Sequence, residues 1–200
     1  DLGAFKPAFY SGQIIVADSS GDIISINPET GMINWQKALG RNLSAGVAAG
    51  FGRLVVSDVD GFVISLDMES QEILWEQNIG GEVLARAIVD AALVVVKNSV
   101  GELVALDAMT GEKKWTFRSQ LPALTVRGTG EPIIKDGIVF STFDNGRLGA
   151  FQLNTGFFLW DGPISFVSGS SELENLLDAD SSPVAFNQLI FAVNYQGNLT

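Results

Sequence analysis

Short apolar runs alternate with polar turns along the whole chain. Runs such as IIVAD, LVVSD and LVVVK are rich in β-branched residues, and each is followed by a polar stretch that ends in glycine and then by a second apolar run. Short apolar runs bounded by turn residues are typical of strands that are buried on both faces. The stretches in between, DSSG, DVDG and NSVG, have the composition of tight hairpin turns. The pattern therefore predicts short antiparallel strands throughout.

This pattern repeats about every 40 residues. A tryptophan recurs at the same place in each repeat, at Trp35, Trp75, Trp115 and Trp160, with spacings of 40, 40 and 45. Each repeat holds four short apolar segments, which is the content of one four-stranded propeller blade. We interpret the tryptophans as core residues that pack against the neighbouring blade, and an aromatic ligand cage is the alternative.

The predicted fold is an all-β propeller of four-stranded antiparallel blades. The blades fall at about 5–38, 44–78, 84–118 and 129–162, and a fifth, incomplete blade falls at 182–200. The longer intervals place inserted connections at 119–130 and 162–182. Both follow the last strand of a blade, so we expect them to lie side by side on one face, where binding residues collect. We expect about four and a half blades of a longer ring, with uncovered apolar surfaces at both ends.

One repeat departs from the pattern at the turn before its last strand. Glycine occupies this place at Gly31, Gly111 and Gly156, whereas the second repeat has Gln71. A non-glycine residue in the left-handed region costs about 1–2 kcal/mol. We therefore expect this turn to be rebuilt rather than strained.

Composition narrows the function classes. The net charge of −11 argues against binding to nucleic acid or to an anionic membrane surface, and no apolar run is long enough for a membrane-spanning helix. The chain has neither Cys nor His, which removes the commonest nucleophile–base pairs and metal ligands. The stretch DVDG at 58–61 faintly resembles a calcium loop, but its spacing favours a hairpin turn. We predict no catalytic residue, cofactor or metal.

The repeat resembles a known family. GDIISINPETGMINW and GELVALDAMTGEKKW are similar to the repeat of the PQQ-type propellers, which comprise quinoprotein dehydrogenases and a non-enzymatic branch. WTFRSQLPALTVRGTGEP and GSSELENLLDADSSPV resemble segments of that second branch, the BamB family of outer-membrane protein assembly factors. This resemblance implies an eight-bladed scaffold of the β-barrel assembly machinery, which a lipid anchor holds at the periplasmic face of the outer membrane.

The same resemblance implies a partner and its binding residues. In that family an L-x-L-R-G loop and a D-x-D loop contact BamA, the central barrel subunit, and the scaffold assists nascent outer-membrane proteins. The matching positions here are Leu124, Val126 and Arg127 in the first loop, with Val in place of the second Leu, and Asp178 and Asp180 in the second. From the residues alone, Arg127 could equally be a solvated residue paired with either aspartate, and the aspartates could cap turns.

Two other functions remain open at this point. A quinoprotein dehydrogenase shares the repeat, but many of those enzymes carry adjacent cysteines near the cofactor, and this chain has none. A ligand-sensing propeller would explain the repeats but not the two loop sequences.

Overall fold

The computed structural model describes residues 5–119, 129–164 and 181–193. Over these ranges the secondary structure consists of strands and turns, with no helix. The strands are, in chain order, β1 (Ala8–Tyr10), β2 (Gln13–Ala17), β3 (Asp22–Ile26), β4 (Ile33–Ala38), β5 (Leu43–Gly50), β6 (Arg53–Asp58), β7 (Phe62–Asp67), β8 (Ile73–Asn78), β9 (Ile88–Val89), β10 (Leu93–Lys97), β11 (Glu102–Asp107), β12 (Lys113–Arg118), β13 (Ile133–Lys135), β14 (Ile138–Phe143), β15 (Arg147–Gln152), β16 (Phe158–Pro163), β17 (Val184–Phe186) and β18 (Leu189–Phe191).

The strands form sheets in strict chain order. Four antiparallel four-stranded sheets contain β1–β4, β5–β8, β9–β12 and β13–β16, and β17 pairs with β18 in a hairpin. The first strands of successive sheets contact each other, β1 with β5, β5 with β9 and β13 with β17, so these strands line a common axis. The predicted all-β propeller fold is confirmed.

The core lies between the sheets rather than within any one of them. All five residues of β10 are buried, and they divide between two cores according to the two-residue period of a strand. Val94 and Val96 join a cluster with β6, β7 and Trp75 of the preceding sheet, whereas Leu93 and Val95 pack with β14 and β15 of the following sheet. A continuous apolar run in this sequence therefore marks a strand that two neighbours cover.

One tryptophan joins the second sheet to the third, and another joins the third sheet to the fourth. The Trp75 indole donates a hydrogen bond from Nε1 to the Ala108 carbonyl oxygen at 2.9 Å, and Trp115 does the same to Leu153 at 2.7 Å. In the first of these joints the ring lies directly on the turn at Gly111, where an added Cβ would come within 2.7 Å of the ring. Gly111 has a φ of +74°. The core interpretation of the tryptophans holds at both joints.

The prediction for the Gln71 turn is wrong, because the turn is not rebuilt. Gln71 has a φ of +57°, in the same left-handed region as the glycines that hold this place in other repeats. Its side-chain amide donates to the Met68 carbonyl oxygen at 3.1 Å and also to the Glu69 carbonyl oxygen. These hydrogen bonds within the turn offset the conformational cost of the left-handed residue.

Gln71 also changes the joint between the first two sheets. Met68 corresponds to Ala108 and Leu153, whose carbonyl groups accept the indole hydrogen bonds at the other joints, but here the carbonyl accepts from Gln71 instead. Among the described residues, Trp35 forms no hydrogen bond to that carbonyl. A cleft of about 460 Å³ opens at this joint, with Tyr10, Trp35 and Gln71 in its lining.

Replacing Gly111 with alanine is expected to destabilise the protein more than the same change at Gly137. Both glycines have nearly the same positive φ, but an added Cβ at Gly137 meets nothing within 4 Å. Gly137→Ala should cost about 1–2 kcal/mol from backbone strain alone. Gly111→Ala should cost roughly 1–3 kcal/mol more, because the ring of Trp75 must move. Denaturant unfolding of both variants measures the difference, and equal losses would contradict the packing described for this joint.

The indole hydrogen bond should make Trp75 more sensitive than Trp35 to replacement by phenylalanine. Trp75→Phe leaves the buried Ala108 carbonyl group without its partner, which costs about 1–3 kcal/mol in addition to the lost contacts. Trp35→Phe removes no such bond and serves as the matched control. Unfolding free energies decide the comparison: a loss at Trp35 as large as that at Trp75 would mean that the two joints are equivalent.

Candidate protein-binding site

The described connections between sheets all begin on one face of the propeller. The backbone N–H that begins each connection donates to the glycine carbonyl oxygen of the turn between the second and third strands of the same sheet, at 2.9–3.0 Å. These pairs are Leu39 with Gly21, Ile79 with Gly61, Ser119 with Gly101 and Ile164 with Gly146. Connections and turns therefore lie on the same side, which we call the connection face. The inserted connections at 119–130 and 162–182 begin on it.

The two insertions begin at the same hairpin turn. The Asn145 side chain donates from Nδ2 to the Ser119 hydroxyl oxygen at 3.2 Å, and the Gly146 carbonyl oxygen accepts the Ile164 N–H at 2.9 Å. Ser119 is the first residue of the first insertion, and Ile164 is the last described residue at the start of the second. The turn between β14 and β15 therefore holds the beginnings of both insertions.

The two insertions also meet where they end. The Glu131 N–H donates to the Ser182 hydroxyl oxygen at 2.9 Å, and the Thr142 hydroxyl donates to the Ser181 carbonyl oxygen at 2.9 Å. Gly130 lies so close that an added Cβ would be 2.5 Å from Thr142 Oγ1 and 2.8 Å from Ser181 O. The ends of the two insertions are thus in direct contact, as expected if they lie side by side on one face.

The five residues predicted to bind a partner lie outside the described residues. They are Leu124, Val126 and Arg127 in the first insertion and Asp178 and Asp180 in the second. The structure describes what surrounds both insertions, and the role of these five side chains stays a prediction.

A charged cluster that the sequence analysis missed lies beside the first insertion, toward the axis. The Glu131 carboxylate, whose side chain is only 14% exposed, accepts from the Arg86 guanidinium at 3.1 Å and lies 3.3 Å from the Lys6 ammonium. Arg86 also donates to the Pro7 carbonyl oxygen at 3.3 Å. Arg86 and Glu131 line a cleft of about 410 Å³ together with the first strands of the sheets. The only sequence signal was an acidic residue directly after the insertion.

A buried lysine lies beneath the ends of the insertions. Lys97, the last residue of β10, is 4% exposed, and its ammonium donates to the Thr142 carbonyl oxygen at 3.2 Å. Sequence reasoning treated LVVVK as a buried strand and gave its lysine no role. A charged residue that ends an otherwise apolar run is the signal that could have found it, since buried ammonium groups require partners.

An ion pair lies near the start of the second insertion. The Arg147 guanidinium donates to the Asp161 carboxylate, and each side chain is a little more than one-third exposed. This hydrogen bond is the largest influence on both groups: it holds the pKa of Asp161 below its usual value of 3.8 and raises the pKa of Arg147. Because both groups are partly solvated, the pair contributes at most about 1 kcal/mol.

The DVDG stretch forms a hairpin turn, and the carboxylate of its first residue, Asp58, accepts hydrogen bonds within the turn. Asp58 accepts hydrogen bonds from the backbone N–H groups of Asp60 and Phe62 at 3.0 and 2.9 Å, and it also accepts from the Arg41 guanidinium at 3.3 Å.

Across the described ranges, no group of three or more acidic side chains is arranged to hold a metal ion. In the same part of the chain, no helix has the length and apolar character required to cross a membrane.

Comparison with known proteins identifies the family. The family described as "Outer membrane protein assembly factor BamB" matches residues 19–200. The chain belongs to the BamB family. A BamB protein of Alkalilimnicola ehrlichii is 53% identical over 98% of this chain and 51% of its own length, and one of Kangiella koreensis is 46% identical over 98% and 50%. The chain thus spans about half the length of the curated BamB relatives that it matches.

Solved structures agree with this assignment. The crystal structure of BamB from Moraxella catarrhalis superposes with a TM-score of 0.89 at 26% identity, covering 97% of this chain and 59% of the other. A quinohemoprotein alcohol dehydrogenase from Comamonas testosteroni superposes with a TM-score of 0.69 over 97% of this chain and 41% of its own. At 16% identity, that second likeness shows a shared fold alone.

Removing the carboxylate of Asp161 is expected to have a small, pH-dependent effect. The lowered pKa means that the charged form of Asp161 stabilises the fold above the unfolded-state value near 3.8, and that this contribution is lost as the pH falls through the lower, folded-state value. Asp161→Asn should therefore lower stability by less than about 1 kcal/mol near neutral pH. Denaturant unfolding at neutral and acidic pH should show the gap closing as the pH falls below 3.8. A gap that widens in acid would contradict the stated sign.

Proposed function

We propose that this chain forms part of a non-catalytic scaffold subunit of the outer-membrane β-barrel assembly machinery. It binds the periplasmic domains of BamA and assists the assembly and insertion of outer-membrane proteins. Membership of a family named for outer-membrane protein assembly supports the process. The meeting of both inserted connections on one face is the observation that supports a binding role for that face.

The proposed mechanism relies on the stiffness of the stacked sheets. Sheets that share buried cores present their connections from fixed positions, so a partner can be recognised without much ordering on binding. Leu124 and Val126 provide apolar anchors in this proposal, and Arg127 provides a planar group that binds carboxylates or carbonyl oxygens. Asp178 and Asp180 accept hydrogen bonds from the partner or orient Arg127.

The proposed location is the periplasmic face of the outer membrane, where a lipid anchor holds the full-length protein. Nascent outer-membrane proteins are the further proposed partners. In this scheme the protein binds and orients its partners but catalyses no reaction, so it requires no cofactor.

Reversing the charge of Arg127 is expected to weaken partner binding while leaving the fold intact. Arg127→Glu removes a proposed central contact, and loss of such an arginine typically costs at least about 2 kcal/mol, or roughly thirtyfold in Kd. The measurement is titration of the purified BamA periplasmic domains against the full-length protein, with thermal unfolding of each variant recorded alongside.

The matched control is Lys113→Glu, which makes the same change in net charge. Lys113 is an exposed residue at the start of β12, at the opposite end of that strand from the first insertion. Its variant should bind like the wild type. Equal weakening in both variants would indicate a general charge effect. Normal binding by Arg127→Glu, or weakening that only follows unfolding, would refute the proposed contact.

A further inference from the structure

We propose that Thr142 is a positioning residue that couples the ends of the two insertions, with Lys97 holding it in place. The coupled unit, which we call the junction, comprises Lys97, Thr142, Ser181, Glu131 and Ser182. The inference rests on the proposed function, because it explains how two separate segments of the chain keep one relative position as a binding surface.

Thr142 is connected on two sides. Its side-chain hydroxyl donates to the Ser181 carbonyl oxygen at 2.9 Å, and its own carbonyl oxygen accepts from the Lys97 ammonium at 3.2 Å. Thr142 is completely buried. A buried hydroxyl and a buried ammonium are both costly unless they form hydrogen bonds, so each bond constrains the position of the other groups. The side chain that holds the second insertion is therefore itself held by the preceding sheet.

The first insertion joins the same unit. Glu131, which follows it directly, donates its N–H to the Ser182 hydroxyl at 2.9 Å. Gly130 packs against Thr142 and Ser181 at distances that leave no room for a side chain. The last residues of both insertions and Glu131 therefore meet around one threonine, although Glu131 and Ser182 are 51 positions apart in the chain.

Ion pairs fix the side chain of Glu131 in the junction. The Glu131 carboxylate is bound by Arg86 of the preceding sheet and by Lys6 near the N-terminal end of β1. Glu131, directly after the first insertion, is thus fixed through both its backbone and its side chain. A surface made from two such connections is pre-organised, which lowers the ordering cost when a partner binds.

The equivalents of Lys97 in other repeats are not lysine. Its role is therefore specific to this part of the structure and is not required by the repeat. The position of Lys97 is held by Ser57 in the second sheet and by Thr142 in the fourth if the sheets are aligned at their turn glycines, so a buried cation here is not a requirement of the fold. Lys97 binds the residue around which the ends of the two insertions meet.

The test compares Thr142→Val with Thr142→Ser in the full-length protein. Valine keeps the shape but cannot donate to Ser181, whereas serine keeps the hydroxyl group. The first readout is hydrogen exchange of the Glu131 amide, whose own hydrogen bond to Ser182 neither variant alters. We expect exchange at Glu131 to become at least about tenfold faster with valine and to stay near wild type with serine. Ser182→Ala, which removes the Glu131 acceptor directly, is the positive control and is less prone to misfolding.

The second readout is the affinity for the BamA periplasmic domains. We expect Thr142→Val and Ser182→Ala to weaken binding about tenfold at unchanged thermal stability, and Thr142→Ser to bind like the wild type. Unchanged exchange at Glu131 in Thr142→Val would overturn the coupling. Faster exchange with unchanged affinity would overturn the positioning role while leaving the proposed function intact.

Failure of the proposed function itself has a different signature. If the wild type does not bind the BamA domains, or if Arg127→Glu binds them normally, the proposed contact and the positioning role are both refuted. Hydrogen exchange needs no partner and still decides in that case whether the two ends are coupled.

Discussion

Burial of apolar side chains between adjacent sheets is the constraint on which the rest of this structure depends. A four-stranded sheet with apolar side chains on both faces cannot bury them alone, so each sheet requires a neighbour on either side. Val94 and Val95 illustrate this, since adjacent residues of one strand enter two different cores. The indole rings of Trp75 and Trp115 extend the same contacts outward and add a hydrogen bond to the next sheet. Radial stacking follows directly from this arrangement.

Stacking also determines where variation can occur. Strands that two neighbours cover tolerate little change, whereas the connections between sheets lie at the surface and can lengthen. Every described connection is fastened by a backbone hydrogen bond to a turn of its own sheet, so an inserted segment starts from a fixed point. Two successive insertions then emerge around one sheet, β13–β16. A rigid framework with two adjacent long connections is a suitable basis for recognising another protein.

The informative residues are those that depart from the repeat. Gln71 replaces a glycine, keeps its left-handed backbone and takes over the carbonyl group that an indole binds at other joints. Lys97 places a buried ammonium group at the end of an otherwise apolar strand, and Glu131 places a carboxylate between two cations. Lys97 and Glu131 require hydrogen bonds or ion pairs because their charged groups are largely removed from water, and these partners give both residues a local structural role.

The sequence by itself determined the strands, the repeat and the propeller fold, because those features depend on local periodicity and on the spacing of tryptophan and glycine. It also carried the family resemblance. It failed at Gln71, where side-chain hydrogen bonds within the turn outweigh backbone preference, and it gave Lys97, Thr142 and Arg86 no role. Only the tertiary structure decided those, since their partners lie in other sheets: Lys97 and Thr142 are 45 residues apart, as are Arg86 and Glu131. Contacts at that distance depend on how sheets stack, which no local pattern specifies.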